Sequence, residues 1–402
     1  MSGEEKIAGH IRKVLSSLSG MINAKLTRRQ FLSGCVKAGV LCGSSMWALE
    51  GFFRYKAYAA IGEKRGMREA MYYEKMGDEA VKCLLCPNNC VLSNGQRGFC
   101  RVREPLGGKL YTLVYELACA VHVDPIEKKP FYHFLPGSKS FSIATAGCNS
   151  RCKFCQNWTI SQSSPEEVAS RRLTCDQVVE GAIGNGCSAI AYTYSEPTVF
   201  YEYMLDTAKR ARKRGVRNIV VTGGKISPDP LKELCGSVEA VNIDLKGMDP
   251  TYLSDVCAQD LDDILKTILI YKREGVWVEL TNLIVPTMND NMEDIKRMAS
   301  WVVENAGPDV PMHFSRFWPQ YKLRSLYPTP VETLLEAREV AIKAGLHYVY
   351  VGNVPGSGSE STSCPSCSKT VIKRIGYRVT ENNVRPDGTC SFCSGRIAGV
   401  WV

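Results

Sequence analysis

The chain has 402 residues, a hydrophobic share of 45% and a formal net charge of +9 at pH 7, which excludes an intrinsically disordered polypeptide and leaves room for more than one packed unit. Its Lys and Arg residues are scattered rather than gathered in blocks, so the charge is weak evidence for a nucleic-acid or membrane partner. The 18 cysteines fall mostly in three tight clusters, which argues against a secreted disulfide scaffold and for metal or cluster ligation.

Residues 1–60 read as a targeting segment. Thr27-Arg28-Arg29-Gln30-Phe31-Leu32 opens an apolar stretch that reaches Phe53, and Ala57-Tyr58-Ala59 supplies an A-x-A cleavage site. The pattern resembles a twin-arginine signal, which implies export of a folded protein after cofactor assembly in the cytoplasm. Lys37 interrupts the apolar stretch, so a basic N-terminal helix that stays in the cytoplasm is the alternative. Residues 61–139 form a Cys-rich extension. Its Cys83, Cys86, Cys90 and Cys100 make a complete four-thiolate set spaced C-x2-C-x3-C-x9-C, which suits structural zinc and an auxiliary iron–sulfur cluster alike.

From Ser140 the pattern changes. Short β-branched or apolar runs predict strands near 141–147, 189–194, 218–222, 240–246, 276–285, 312–317 and 348–352. Helical periodicity falls between them at 175–183, 199–214, 262–274, 292–304 and 331–344, the first opening on a Thr174/Gln177 capping box. Strand then helix, repeated about six times, predicts an α/β fold with a parallel sheet and helices outside; a partial (β/α)6 TIM-like barrel over 140–356 is its natural form. Residues 357–402 return to cysteine pairs. Cys364, Cys367, Cys390 and Cys393, as C-x2-C-x22-C-x2-C, match a zinc ribbon.

Loops at strand ends carry the chemistry of such barrels, and polar residues gather there. Ser195-Glu196-Pro197 follows the second strand, Thr222-Gly223-Gly224 the third, and Asp244 and Lys246 close the fourth. Glu279, Thr281 and Asn282 interrupt the fifth, and His313 and Arg316 the sixth. Singly, each more often satisfies core hydrogen bonds; jointly they favour a cofactor site. Alternation places Asp244 with Lys246, and Glu279 with Thr281, toward the barrel mouth. Segment 124–136 is expected either to cover that mouth and recognise substrate or, given Glu127-Lys128-Lys129, to be a solvated charged loop.

The loop after the first barrel strand holds Cys148, Cys152 and Cys155 as C-x3-C-x2-C, with Phe154 before the third. Three thiolates on a four-iron cubane leave one iron open to another ligand, whereas electron-transfer clusters normally use four cysteines. The spacing resembles the radical S-adenosylmethionine (SAM) superfamily. That resemblance implies a [4Fe-4S] cluster whose open iron chelates SAM, and reductive cleavage to methionine and a 5′-deoxyadenosyl radical that abstracts hydrogen from a substrate.

The strand-end segments are similar to the glycyl-radical-enzyme activase branch, with pyruvate formate-lyase activating enzymes as its relatives. By that resemblance Ser195, Glu196 and Pro197 belong to the loop at the cofactor's amino group, Asp244 and Lys246 contact its ribose and carboxylate, and His313 lies on its adenosyl side. Where that branch often has two glycines before Glu-Pro, this chain has Tyr194-Ser195. The whole order looks like the radical enzyme of the AmmeMemoRadiSam system: Cys83-x2-Cys86-Pro87-x2-Cys90, Gly95-x2-Gly98-x-Cys100, Asp124-Pro125-Ile126-Glu127-Lys128-Lys129-Pro130 with His133, and Tyr348-Val349-Tyr350-Val351-Gly352-Asn353 before the ribbon. It implies Memo-like and Ammecr-like partners, an electron donor such as flavodoxin or ferredoxin, and a substrate for which a protein glycine is the leading candidate. The competing readings are an iron–sulfur and zinc module used only for electron transfer or metal binding, and a nucleic-acid-binding zinc protein, which no aromatic-basic stripe supports.

Overall fold

Residues 66–402, apart from 78, 355 and 357, are described by a computed structural model; the targeting segment expected over residues 1–60 lies outside them. Each of the seven predicted apolar runs forms a strand. β1 (Ala120–Pro125) pairs antiparallel with β2 (Lys139–Ala144). β3 (Ala189–Tyr192), β4 (Arg217–Thr222), β5 (Ala240–Asp244), β6 (Trp277–Ile284), β7 (Met312–Arg316) and β8 (Val349–Gly352) then add in chain order, each parallel to the one before. The edges of this eight-stranded sheet are β1 and β8.

Every crossover after β2 carries a helix, in order α1 (Cys175–Gly184), α2 (Tyr201–Lys213), α3 (Pro228–Cys235), α4 (Leu261–Arg273), α5 (Met292–Asn305) and α6 (Val331–Lys343). The Thr174 side chain accepts from the Gln177 N–H as the capping box requires, and Asp260 and Asn291 cap α4 and α5 in the same way. α3 is not among the predicted helices. Pro228 and Pro230 disguise it, although a proline in the first turn, where its missing N–H has no intrahelical role, is favourable. Among the described residues no helix is long and apolar enough to cross a membrane.

Strand alternation divides the core. Ile190, Val220, Val241, Val278 and Leu280 face the helices, and Ala189, Ala191, Ile219 and Ala240 face the other way. The small alanines make room for Ile126, Phe131 and Phe134, all fully buried against them. Residues 126–138 join β1 to β2 at the end where Pro125 pairs with Lys139, the first residue of β2. This overturns the expectation that 124–136 covers the mouth: the segment fills the N-terminal ends of the parallel strands, opposite the loops after their C-terminal ends. Nor is it a solvated loop. Glu127 and Lys129 are buried, on Arg374 and Asp124, and only Lys128 reaches solvent. Glu279 belongs to this base as well, accepting from the N–H groups of Tyr132 and His133.

The Cys-rich extension folds as two three-stranded sheets, one built on Tyr73–Met76, Ala80–Cys83 and Val91–Ser93, the other on Arg68–Glu69, Arg103–Leu106 and Lys109–Thr112. A buried ion pair of 2.5 Å between Arg103 and Glu202 ties it to α2. The boundary expected at 139/140 falls after the first residue of β2, and β1, on its other side, is the antiparallel partner of that strand. The C-terminal segment forms a sheet of Thr362–Ser363, Thr370–Ile375 and Arg378–Asn382. It meets the base through Arg374, which donates to the Tyr132 carbonyl, and through Val400, which bridges to Phe134.

Candidate active site

The cysteine loop leaves the C-terminal end of β2. Gly147 sits at φ +94°, and a Cβ there would lie 2.6 Å from the Cys100 carbonyl, so this turn demands glycine. The loop is then pinned by backbone bonds: Gly147 N–H to Ile160 O, Arg151 N–H to Cys257 O and Lys153 N–H to Val256 O, at 2.8–2.9 Å. Cys148 Sγ accepts from the Ser150 N–H at 3.4 Å, and Cys155 Sγ lies 3.2 Å from Ser161 Oγ. Burial pushes the Cys148 and Cys155 thiols up, and the Glu196 charge adds to the first. Cys152 moves down, because a hydrogen bond with Cys257 favours its thiolate and the Lys246 charge works in the same direction.

Glu196 ties two strand-end loops together. Its Oε1 accepts from Thr198 N, Thr198 Oγ1 and Thr222 Oγ1, and its Oε2 from Gly223 N, at 2.6–3.2 Å. Pro197 opens the 3-10 turn that follows. Ser195 is buried, and its hydroxyl has no hydrogen-bond partner. A Cβ on Gly223 would lie 2.6 Å from Gln259 Nε2, 3.4 Å from Glu196 Oε2 and 3.7 Å from Lys246 Nζ, so these three side chains converge on one point. Lys246 Nζ donates to Asp244 Oδ2 at 2.8 Å, as alternation predicted for that pair. Tyr194 stands where the related branch often has glycine, and its φ is +66°. Its hydroxyl donates to Asp124 and accepts from Lys129, bonds that offset the strain of a left-handed backbone.

His313 is held elsewhere on the same face of the sheet. Its Nε2 lies 2.7 Å from Glu279 Oε2, and its ring packs on Tyr132 and Tyr350, all groups of the base rather than of the cysteine loop. Sequence reasoning missed Cys257, Gln259 and Asn149. Cys257 ends a π-helical turn, Leu253–Cys257, that Ala258 closes at φ +53°. Gln259 Nε2 donates to Ser150 Oγ and the Gly223 carbonyl. A lone cysteine and an amide carry no pattern of their own, and a π turn, frequent at functional sites, leaves none in the sequence.

Three thiols in one loop fit the open-iron cubane that their spacing suggested. The polar atoms beside them fit a polar ligand: Asn149 Oδ1, Ser195 Oγ and Gln259 Oε1 are buried without hydrogen-bond partners, which native structures rarely tolerate without a reason. At the other cysteine sets the geometry differs. Cys364, Cys367, Cys390 and Cys393 bring all four sulfurs within 4.8 Å of one another, with 3.7 Å between Cys364 and Cys393 and 3.9 Å between Cys367 and Cys390. Cys83, Cys86, Cys90 and Cys100 line one small, partly open cavity.

Residues 142–302 match the model of the Radical SAM superfamily. The chain is 46% identical over 332 residues to the uncharacterized protein MJ0808 of Methanocaldococcus jannaschii, covering 82% of this chain and 99% of that one. It belongs to that protein's family and carries a Radical SAM domain. Pyruvate formate-lyase-activating enzyme of Clostridium pasteurianum is 23% identical over 168 residues, 40% of this chain and 67% of that one. A solved domain of pyruvate-formate lyase-activating enzyme from Bacteroides vulgatus aligns over 41% of this chain and 99% of its own at 20% identity, with a TM-score of 0.36. The Radical SAM domain starts within β2 and ends within α5, so it contains the cysteine loop, Glu196, Gly223, Asp244, Lys246 and Gln259. Membership in the superfamily implies a [4Fe-4S] cluster and SAM; Cys148, Cys152 and Cys155 are the residues that would hold the cluster.

Proposed function

We propose that this chain reductively cleaves SAM and uses the resulting 5′-deoxyadenosyl radical to take hydrogen from a substrate, with a protein glycine as the leading candidate. The observation that carries the reading is the convergence of the Cys148–Cys152–Cys155 loop with Glu196, Lys246 and the unpartnered Ser195 hydroxyl. The cluster supplies the electron that breaks the sulfur–carbon bond; the protein binds, orients and shields. Lys246 presents a buried cation suited to a carboxylate, and Asp244 an acceptor suited to ribose hydroxyls. Ser195 offers a hydroxyl for the amino group, and Glu196 keeps the loops around Gly223 in place. The strand order supports a partial (β/α)6 barrel with this site at the C-terminal strand ends.

The ribbon cysteines support zinc. A tetrahedral site with Zn–S bonds of about 2.3 Å separates its sulfurs by about 3.8 Å, close to the two distances above. Memo-like and Ammecr-like partners and a flavodoxin or ferredoxin donor rest on the motif order alone. The test is anaerobic reconstitution with iron and sulfide, then dithionite and SAM, with chromatography for 5′-deoxyadenosine. The parent should form it and the Cys148→Ala/Cys152→Ala/Cys155→Ala variant should not; formation by both at one rate would overturn the assignment.

A further inference from the structure

We infer that Cys83, Cys86, Cys90 and Cys100 hold a second iron–sulfur cluster of the four-iron class, and not zinc. The inference concerns a different site from the proposed radical chemistry and stands apart from it. Its first support is a comparison within the one chain. Four sulfurs on zinc sit about 3.8 Å apart, whereas a four-iron cubane holds its cysteine sulfurs about 6 Å apart. The ribbon set has closed to the first spacing. Among the described residues no other three ligand atoms come within 4.8 Å of one another, so the Cys83 set is open. The Cys148 set is open too, and its spacing and family point to a cubane.

The second support is the space between the sulfurs. The four cysteines line a partly open cavity of about 20 Å³, measured as room for the centre of a water-sized sphere, with Leu85, Leu92 and Val199 in its walls. A single water needs about 10–15 Å³ on that measure, so the set encloses more than the closest packing of four sulfurs around one ion would leave. Arg103, although paired with Glu202, still aims Nη1 at Cys83 Sγ from 3.9 Å, an N–H donor for a thiolate of a cluster.

The third support is location. Asn88 Nδ2 donates to the Asn149 carbonyl, the Arg151 guanidinium donates to the Phe99 carbonyl, and the Cys100 carbonyl closes on Gly147. Standard bond lengths then keep the Cys100 and Cys148 sulfurs within about 15 Å of each other. The ribbon makes no such contact with the cysteine loop in the bonds described above. A second cluster would therefore stand next to the first.

The test uses the full chain, reconstituted anaerobically. The Cys148→Ala/Cys152→Ala/Cys155→Ala variant leaves the Cys83 set untouched and does not depend on whether cysteine changes in the extension fold. It should keep about four iron and four sulfide per chain, about half the parent's content, with a reduced-state electron paramagnetic resonance signal that SAM does not alter. That iron should survive Cys390→Ala and disappear with Cys83→Ala/Cys100→Ala. A triple variant with no iron, or with two zinc per chain, would overturn the inference, as would iron lost with Cys390→Ala. Failure of the radical reading would appear separately, as a parent that forms no 5′-deoxyadenosine whatever the iron count of the triple variant.

Discussion

Replacing Glu196 should cripple SAM binding while leaving iron content intact. Its carboxylate accepts four hydrogen bonds, two from backbone N–H groups and two from hydroxyls, and the residue is only 5% exposed. In Glu196→Ala the hydroxyls of Thr198 and Thr222 can turn to other acceptors, but the N–H groups of Thr198 and Gly223 cannot. Each bond to a charged acceptor is worth about 1.5–3 kcal/mol, and an orphaned buried donor costs a similar amount, so the two N–H groups together set a loss of about 3–6 kcal/mol. Spent on holding the Gly223 loop against Lys246 and Gln259, 3 kcal/mol corresponds to roughly a 150-fold loss of affinity. Glu196→Gln keeps an oxygen for the threonines and turns an amide donor toward the Gly223 N–H. It should lose about 1–3 kcal/mol, roughly 5- to 150-fold. Anaerobic equilibrium binding of SAM to the reconstituted protein reads the effect, with iron per chain as the control for folding. An alanine variant with parental iron that binds SAM within about threefold of the parent would refute the reasoning.

The base should be acid-sensitive. Burial lowers His133 from 6.5 to about 4, so the unfolded chain takes up a proton first and stability is lost as pH falls from about 6.5 to 4, by about 3 kcal/mol in all. Thermal melts at pH 8 and pH 5 should show this slope, and His133→Gln should flatten it; an unchanged slope would locate the acid sensitivity elsewhere. Tyr194→Phe removes the hydroxyl bonded to Asp124 and Lys129 and should cost about 1–3 kcal/mol in a denaturant melt, since Asp124 is charged. A melt indistinguishable from the parent's would mean that those bonds do not hold the residue in its left-handed backbone. Cys390→Ala should abolish zinc binding measured by mass spectrometry and, by loosening the sheet that carries the exposed Lys369 and Lys373, speed tryptic cleavage after them, because a ribbon of this size depends on its metal; retention of zinc would count against the four-sulfur site.

Much of the sheet was legible because its strands are short β-branched runs separated by amphipathic helices, a pattern local enough to read by period. The convergence of Cys364, Cys367, Cys390 and Cys393 was legible by spacing, as was the pairing of Asp244 with Lys246. What stayed hidden depends on partners distant in sequence. Glu127-Lys128-Lys129 looks like a solvated loop, yet two of its charges are buried on Arg374 and Asp124, and nothing near residue 127 announces an arginine at 374. His313 looked like part of a cofactor site because it interrupts an apolar strand; what it bonds to, Glu279, interrupts its neighbour for the same structural purpose. Cys257 gave no warning, since its contact with Cys152 depends on a turn with no sequence signature.

The base also sets an order of assembly. His133 Nδ1 donates to the Ala398 carbonyl across 265 residues, and Val400 completes the seat of Phe134. As the chain leaves the ribosome, β1 to β8 and their helices can form while the Glu127 carboxylate still lacks Arg374 and His133 Nδ1 still lacks the Ala398 carbonyl. The underside of the sheet, packed by Ile126, Phe131 and Phe134, therefore gains its last contacts only when residues 374–400 arrive, beneath a metal-binding loop that was finished some 250 residues earlier, a span set by Cys148 and Ala398 in the sequence. Metal delivery to that loop can thus precede those contacts, and a chain stalled after β8 would present to chaperones and proteases a nearly complete sheet whose floor still lacks them.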